Sequence, residues 1–311
     1  MGNSRRGRIP RRVTSAAFAV VLLTGGTAAC GEGSASDPAS ADNGLSEVTP
    51  AAAVAKAASD AERITSLHYR VTGTVPEWGR VKAEASMRTA PMAMGMEMNA
   101  TGRYGGRPLE VRFVDGAMYV RGDAVASEKL KGASWFSAEP AAWGLDLTDN
   151  NSYGVLPRQL EGNPVVQSVM LSASKDVRRI GTETIGSVST THYRGTVTKR
   201  GVGAARDAAT GKAARERHID SLGQFFELRI EGTLTVDLWI GDDNRTKQFR
   251  MRGDTYAAKG GSDGKPLEII DGDPLDMTVT FLDVDQPVTV EAPPSEDTVD
   301  LATLTDGVPT D

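Results

Sequence analysis

Between residues 67 and 281 the sequence repeatedly alternates apolar and polar side chains with a period of two. In the clearest segment, Leu234 to Ile240, every second residue is apolar. Because successive side chains of a strand point to opposite faces, this period predicts strands with one apolar face. So many such neighbours predict an antiparallel sheet, since parallel sheets are covered on both faces. The other alternating segments are 67–71, 81–87, 92–98, 109–113, 249–251 and 277–281.

Two positions carry helix-start signals, a capping residue followed by proline, at Thr49-Pro50 and Asn163-Pro164. The alanine-rich stretch Ala51–Ser66 follows the first signal, and the charged stretch Lys199–Gln224 predicts a loop and a helix. We therefore expect an α+β fold. A strongly curved antiparallel β-sheet, a half-barrel, would have a few helices covering its concave apolar face. We expect incomplete cover, which would leave an apolar pocket.

The first 30 residues have the pattern of an export signal that ends in a lipidation site. Five arginines precede the apolar run Val13–Leu23, which is shorter than the roughly 20 residues that a membrane span needs. Cys30, the only cysteine, follows Ala28-Ala29 and resembles the lipobox cysteine of bacterial lipoproteins, although Thr27 stands where leucine is usual. The resemblance implies a diacylglyceryl group on the Cys30 thiol. The alternative is an ordinary secreted protein with a stray cysteine.

One cysteine and four segments of the chain occur in a recognisable order: Cys30, Ser66–Tyr69, Val114–Val120, Thr190–Val197 and Val236–Asn244. This order resembles that of the LppX/LprA/LprF/LprG family of bacterial envelope lipoproteins, which have a LolA/LolB-like fold. The resemblance covers most of residues 46–292 and implies a hydrophobic cavity between sheet and helices. Family members bind acylated glycolipids or other long-chain lipids and help to move them across the envelope. The charged stretch Lys199–Gln224 and the acidic tail depart from the family.

These features divide the chain into a signal peptide (1–29), a lipidated disordered tether (30–44), one LolA-like lipid-binding domain (45–292) and an acidic C-terminal tail (293–311). Removal of residues 1–29, with five arginines and no acidic residue, changes the formal net charge from −6 to −11. An acidic surface argues against nucleic acid as a partner. We expect attachment through acyl chains at the extracytoplasmic face of the cell membrane.

The candidate ligand site is the apolar side of the sheet. Its most distinctive part is a run of alternate methionines, whose flexible, polarizable side chains suit several acyl chains. The alternatives are simple packing beneath a helix and a Cu(I) site, since soft thioethers select that ion. The predicted cavity wall comprises Met92, Met94, Met96, Met98, Val111, Phe113, Leu238 and Phe281.

The stretch Ser134–Tyr153 has no clear period and predicts a loop rich in aromatic residues. Its rings, with Tyr104, either pack beneath the loop or lie at a cavity mouth or membrane surface. The members of this group are Tyr104, Trp135, Phe136, Trp143 and Tyr153.

No catalytic pattern is complete. Ser172 and Lys175 match Ser-x-x-Lys, but the other motifs of that enzyme class are missing. None of the histidines, His68, His192 and His218, lies beside a nucleophile. We expect no enzyme, no cofactor and no metal. The two strand histidines are expected to face solvent or pair across the sheet, and each starts a short repeat, His-Tyr-Arg, that suits two similar sheet halves.

The expected function is a membrane-anchored carrier or binder of a lipid or glycolipid, with an unknown envelope transport partner. The second candidate is an accessory or sensing lipoprotein with a closed core, which acts through a protein partner. Cavity volume separates the two. A ligand cavity runs to several hundred Å³, whereas a closed core has only packing voids.

Overall fold

The computed structural model describes residues 48–102, 105–123, 130–138, 155–259, 266, 268–301 and 303. The predicted signal peptide, Cys30 and the tether lie outside these ranges, as do Tyr104, Trp143 and Tyr153. In the part of the chain that is described, no helix is long and apolar enough to cross a membrane.

The main sheet has twelve strands in the order β14-β6-β5-β4-β3-β2-β1-β13-β10-β9-β8-β7, and β11 pairs with β12 separately. All neighbours are antiparallel except β14 and β6, which are parallel. The terminal strands β7 and β14 do not pair with each other, so the sheet formed by the described residues is open. The strands are β1 (Ser66–Val75), β2 (Gly79–Thr89), β3 (Met92–Ala100), β4 (Pro108–Val114), β5 (Ala117–Arg121), β6 (Trp135–Ala138), β7 (Arg178–Ile185), β8 (Val188–Thr198), β9 (Thr233–Gly241), β10 (Thr246–Gly253), β11 (Tyr256–Lys259), β12 (Glu268–Asp271), β13 (Leu275–Val284) and β14 (Thr298–Asp300).

Both predicted helix starts are confirmed. The Thr49 hydroxyl accepts a hydrogen bond from the Ala52 amide (3.2 Å), and the Asn163 side chain accepts one from the Val165 amide (2.9 Å). The first helix ends at Ala61, earlier than predicted, because the chain must turn before it enters β1. The charged stretch forms two helices rather than one. The helices are α1 (Pro50–Ala61), α2 (Arg158–Glu161), α3 (Pro164–Ser168), α4 (Lys199–Ala208) and α5 (Lys212–Glu227), with 3-10 turns at Met170–Ala173 and Ser295–Asp297.

The helices pack on the apolar side of the sheet, which we call the inner face; the opposite side is the outer face. Helices α1 and α4 and the 3-10 turn Met170–Ala173 contact β7, β8 or β9, and α3 and α5 pack on the other helices. One apolar cluster joins this layer to the inner face across both halves of the sheet. The predicted α+β half-barrel, an open antiparallel sheet with helices on its apolar face, is thus confirmed.

The start of the stretch Ser134–Tyr153, predicted as a loop, is a strand. Trp135 and Phe136 begin β6, which pairs with β5 and β14. Strand β11, which begins at Tyr256, was not predicted. Both strands have only four residues, too few to establish a visible period, and their partners are distant or also short. Trp135 is buried on the outer face, with Arg112 and Arg121 guanidinium groups 4.7 and 4.8 Å from its ring centre.

Residues 285–297, which we call the strap, cross the outer face between β13 and β14. They connect the start of β1 to the far end of the sheet, passing over Gly95. The described part of the predicted C-terminal tail thus lies on the sheet, because it includes β14. The strap accepts hydrogen bonds from the Thr65 amide at Asp285 (3.1 Å), the Ser66 hydroxyl at the Gln286 carbonyl (2.6 Å), Arg112 at the Glu291 carbonyl (3.0 Å) and the Ser134 amide at Asp297 (2.8 Å).

Candidate functional site

Seven of the eight predicted wall residues lie together on the inner face. Strand register places Met94 beside Phe113 and Met96 beside Val111. Phe281 lies in the same cross-strand row as Met96, separated from it by Tyr69 and Ala85. The eighth residue, Leu238, is on β9, where the 3-10 turn of the helical layer packs.

The wall residues belong to the apolar core. Seven of them are buried, and Met92 is partly buried against the same cluster. Met96 lines one of the clefts formed by the described residues. That cleft, about 520 Å³, lies on the outer face beneath the strap and is polar, with Glu84, Glu97 and Glu110 side by side. The cavity-wall assignment therefore stays a prediction.

The methionine stripe is wider than the alternate residues of β3. Met87 of β2 pairs with Met94, and Met118 of β5 pairs with Phe113 in the same row. The inner face of β2, between β1 and β3, carries the small side chains of Ala83 and Ala85 between Val81 and Met87. This half of the sheet therefore combines flexible thioethers with low side-chain volume, which allows local repacking.

Among the described residues, Tyr69 has a buried hydroxyl group that forms a hydrogen bond with this methionine stripe. Its side chain is 2% exposed, and its hydroxyl donates to the Met94 sulfur at 3.7 Å. Burial raises the pKa of the Tyr69 hydroxyl well above its usual value, so the group keeps its proton and acts as a donor. The alternating pattern predicts that Tyr69 lies on the apolar side of β1, but it predicts no polar role for its hydroxyl.

A second feature of the inner side is a cleft in the helical layer, which we call the helical cleft. Its volume is about 350 Å³, and it lies between α1, α3 and α5 above the end of β2 at Thr89. Its rim is charged. Arg217 of α5 donates to the Glu62 carboxylate just beyond α1 (2.7 Å), and burial, followed by the charge of Glu216, raises the pKa of Asp220. Its apolar lining comes from Ala58, Ala61, Ile64, Val165, Val166 and Val169.

The helical cleft could not be found from the alternating pattern, because three separate helices create it. Short alanine- and valine-rich faces are compatible with full burial against the sheet. The acidic and basic rim residues of α5 are equally compatible with a solvated helix surface.

On the outer face, β7 to β10 share a buried charged network around Asp237, which is 1% exposed. His192 lies between two carboxylates, with Nε2 2.6 Å from Asp237 and Nδ1 2.7 Å from Glu183. Arg194 (2.6 Å) and Arg252 (2.7 Å) also donate to Asp237. Burial alone would raise the pKa of Asp237, but the hydrogen bonds from these three partners outweigh it and hold the pKa below its usual value.

This network corrects one expectation and confirms another. The alternating pattern predicts that Asp237 and Trp239 face water, yet both are buried, and Trp239 stacks on His192 at 4.3 Å. His192 pairs across the sheet, which is one of the two outcomes expected for it. The network spans four strands and holds the sheet together at this end. Among the described residues, no group of three or more acidic, histidine or cysteine side chains is placed to hold a metal ion.

The Ser-x-x-Lys match lies in the 3-10 turn of the helical layer. The Ser172 hydroxyl donates to the Val169 carbonyl at 2.7 Å, and within the described residues it makes no hydrogen bond to Lys175. The other strand histidine, His68, is half-buried and hydrogen-bonds the Ser86 hydroxyl at 2.8 Å.

Comparison with known proteins finds similar solved structures among bacterial lipoproteins. LppX of Mycobacterium tuberculosis is 17% identical with a TM-score of 0.42, over 78% of this chain and 98% of LppX. LprF of Mycobacterium bovis is 15% identical with a TM-score of 0.43, over 78% of this chain and 96% of LprF. A LolA superfamily protein of Nitrosomonas europaea is 9% identical with a TM-score of 0.20, over 80% and 96% of the two chains.

LppX and LprF belong to the family that the sequence resembles. Their TM-scores are low, so the fold is assigned here from the sheet and helices themselves. No protein-family model matches the chain. Among curated proteins, an uncharacterised 31.2 kDa protein of Streptomyces griseus is 31% identical over 153 residues, which is 47% of this chain. The chain spans less than half of that relative, 42% of its length.

Proposed function

We propose that this protein is a lipid-anchored envelope protein that binds a lipophilic molecule between its sheet and its helices, and that it carries this ligand across the envelope. The observation that carries the proposal is the helical cleft, an opening of about 350 Å³ with an apolar lining and a charged rim above the end of β2. Ligand sites are commonly apolar clefts of about 300–1,000 Å³. The cleft is thus large enough to receive part of an acyl chain.

Binding would follow from the removal of hydrocarbon from water. Each buried methylene contributes about 0.8 kcal/mol, so a segment of ten methylenes contributes roughly 8 kcal/mol before the costs of ordering. To admit a chain beyond the cleft, α1 and α5 must separate. A link between them at the rim is the Arg217–Glu62 ion pair, in which the Arg217 side chain is largely buried and the Glu62 side chain is exposed. Opening must therefore break this pair and expose the guanidinium group to water.

The proposal places the protein at the extracytoplasmic face of the cell membrane. Two acyl chains on Cys30 hold a protein stably on a bilayer, whereas one chain binds only marginally. The predicted tether, residues 31–44, would reach about 20 Å as a flexible coil, which would keep the domain close to lipid. Cys30→Ala should abolish incorporation of labelled fatty acid and release the protein from the membrane fraction. A variant that stays acylated and bound would disprove this anchor.

The second candidate is an accessory or sensing lipoprotein that acts through a protein partner. The observation that favours it is the close packing of the predicted wall, with seven of its eight residues buried in one cluster. On this view the helical cleft is a surface groove and the methionine stripe is ordinary core.

Native mass spectrometry of the full-length chain, released from detergent, separates the two candidates. The carrier proposal expects co-purified lipid, or a mass shift when lipids are added. Val166→Trp, which fills the helical cleft, should lower lipid occupancy several-fold. Val188→Trp, on the exposed end of β8, is the matched control and should leave occupancy unchanged. Repeated recovery of empty protein that no added lipid shifts would favour the accessory role.

A further inference from the structure

We propose that the Tyr69 hydroxyl donates a hydrogen bond to a carbonyl oxygen at the head of an acyl chain bound on the inner face. This proposal rests on the proposed function and adds to it the chemical group that the site recognises. It makes Tyr69 a specificity-determining residue for acyl lipids over lipids that lack a carbonyl group.

The first support is the poor hydrogen-bonding of a buried hydroxyl. Buried tyrosine hydroxyls usually find a good partner, and buried polar groups without one are rare. The acceptor of Tyr69 is a thioether sulfur at 3.7 Å, and thioethers are weak acceptors. The side chain is 2% exposed, so bulk water does not supply a better one. An oxygen acceptor from a ligand would improve this hydrogen bond.

The second support is the direction of the side chain. Tyr69 is on β1, and Met94 is two strands away on β3, a backbone separation of roughly 10 Å. The ring therefore extends over β2 at Ala85, its direct partner in register. The small alanine leaves room for the ring there. As a result, a donor is held inside a region whose other side chains, Met87, Met94 and Met96, offer only apolar surface.

The third support is the position of this donor relative to the helical cleft. Thr89 lines the cleft, and the next residues on the same face of β2 are Met87 and then Ala85, each about 6.6 Å further along the strand. The Tyr69 hydroxyl reaches the Met87–Met94 row from the Ala85 row. It therefore lies one to two side-chain positions further along β2 than Thr89, on the buried side of the cleft. A chain that enters from the cleft and displaces the helical layer would place its head there and its tail over Met96 and Met98.

The chemistry of the donor limits the ligand. Because burial keeps the tyrosine protonated, it can donate but does not offer a negative charge. Its complement is an uncharged or anionic carbonyl oxygen, either of an ester or of a free fatty acid. Both sources share the carbonyl group, and the probes of the experiment separate them.

The test compares three probes that share a sixteen-carbon chain: methyl palmitate, palmitic acid and hexadecyl methyl ether. Affinity is measured by native mass spectrometry of the full-length chain, for the unsubstituted protein, Tyr69→Phe and Tyr193→Phe. Tyr193 is the matched control, because it also points to the inner face but lies on β8. Tyr69→Phe should lower the affinity for methyl palmitate, for palmitic acid or for both about fivefold to tenfold, which is the effect expected for the loss of one hydrogen bond.

The hexadecyl methyl ether should bind Tyr69→Phe and the unsubstituted protein equally, within about twofold. A loss confined to palmitic acid would assign the contact to a free fatty acid, and a loss confined to methyl palmitate would assign it to an ester. Equal losses for all three probes, or none, would overturn the role of Tyr69 while leaving lipid binding intact. Failure of the unsubstituted protein to bind any probe would instead overturn the proposed function.

Discussion

The tripeptide His-Tyr-Arg occurs twice, in β1 at residues 68–70 and in β8 at residues 192–194, and the two copies have different roles. In both, histidine and arginine point to the outer face and tyrosine to the inner face. In β1 the histidine is half-buried and bonds a serine hydroxyl. In β8 the histidine is buried between two carboxylates and stacks on a tryptophan.

The difference comes from the neighbouring strand. Arg70 is paired in register with Glu84, an exposed carboxylate at 2.7 Å. Arg194 is paired in register with Asp237, a buried carboxylate with two further donors. The same tripeptide therefore makes a surface ion pair in one half of the sheet and part of a buried network in the other. The partner strand, rather than the tripeptide, decides the role.

Asp237→Asn should give the largest effect, because it leaves His192, Arg194 and Arg252 without their shared anion. Removal of one partner of a buried charged group costs about 3–5 kcal/mol. Glu84→Gln, at the corresponding position beside β1, removes an exposed partner and should cost about 0–1 kcal/mol. Urea unfolding of the two variants measures the contrast. Equal losses would show that the two copies are energetically alike.

His192→Ala should cost about 1.5–3 kcal/mol in the free energy of unfolding, because it removes hydrogen bonds to two charged groups. His68→Ala removes one bond to a neutral hydroxyl and should cost about 0.5–1.5 kcal/mol. The same urea titration checks both substitutions. A larger loss for His68 than for His192 would contradict the ranking of the two environments.

Acid should weaken the β8 network selectively. The pKa of Asp237 is held below its usual value by its three donors, and the pKa of Glu183 is lowered by hydrogen bonds from Trp239 and His192. A carboxyl group whose pKa is lower in the native than in the unfolded protein stabilises the native protein. This contribution is fully present above the unfolded pKa, about 4, and is lost as the pH falls through the native pKa. The urea concentration at the unfolding midpoint should therefore decrease as the pH is lowered below about 4. The decrease should be less steep in Asp237→Asn than in the unsubstituted protein. If the midpoints of the two proteins followed parallel pH profiles, Asp237 would be excluded as a source of the pH dependence.

The smallest effect is expected for Tyr69→Phe in the absence of ligand. Because the hydroxyl bonds only a thioether, its removal should change the free energy of unfolding by less than about 1 kcal/mol. Thermal or urea unfolding of ligand-free protein checks this. A loss above about 2 kcal/mol would show that the hydroxyl supports the fold itself.

Much of the sheet could be predicted from local pattern. Strands β2, β3, β4 and β9 have enough residues for the period of two to be visible, and the apolar side of each is correct. Short strands such as β6 and β14 could not be predicted, because three or four residues carry no period. The order of strands was also beyond reach, since it depends on pairings such as β1 with β13 that join residues over 200 positions apart.

The candidate site was less accessible to sequence reasoning. The orientation of Met94 and Met96 follows from alternation and is correct. The burial of Asp237 could not be predicted from the sequence, because its donors come from other strands. The alternating pattern of those strands is equally compatible with a solvent-exposed outer face. The partner of Tyr69 was also hidden, since a side chain that reaches across one strand to the next follows no local rule.

Strand β13 occupies the middle of the sheet, between β1 and β10, although most of the chain precedes it. Until residues 275–284 have been synthesised, no strand joins the set β1–β6 to the set β7–β10. The edges of β1 and β10 that will pair with β13 are then unpaired. Late arrival of the joining strand leaves those edges exposed during folding, when unpaired edges favour aggregation. A chain that stops before Leu275 should therefore accumulate as aggregated material, whereas one that stops after β14 should not aggregate.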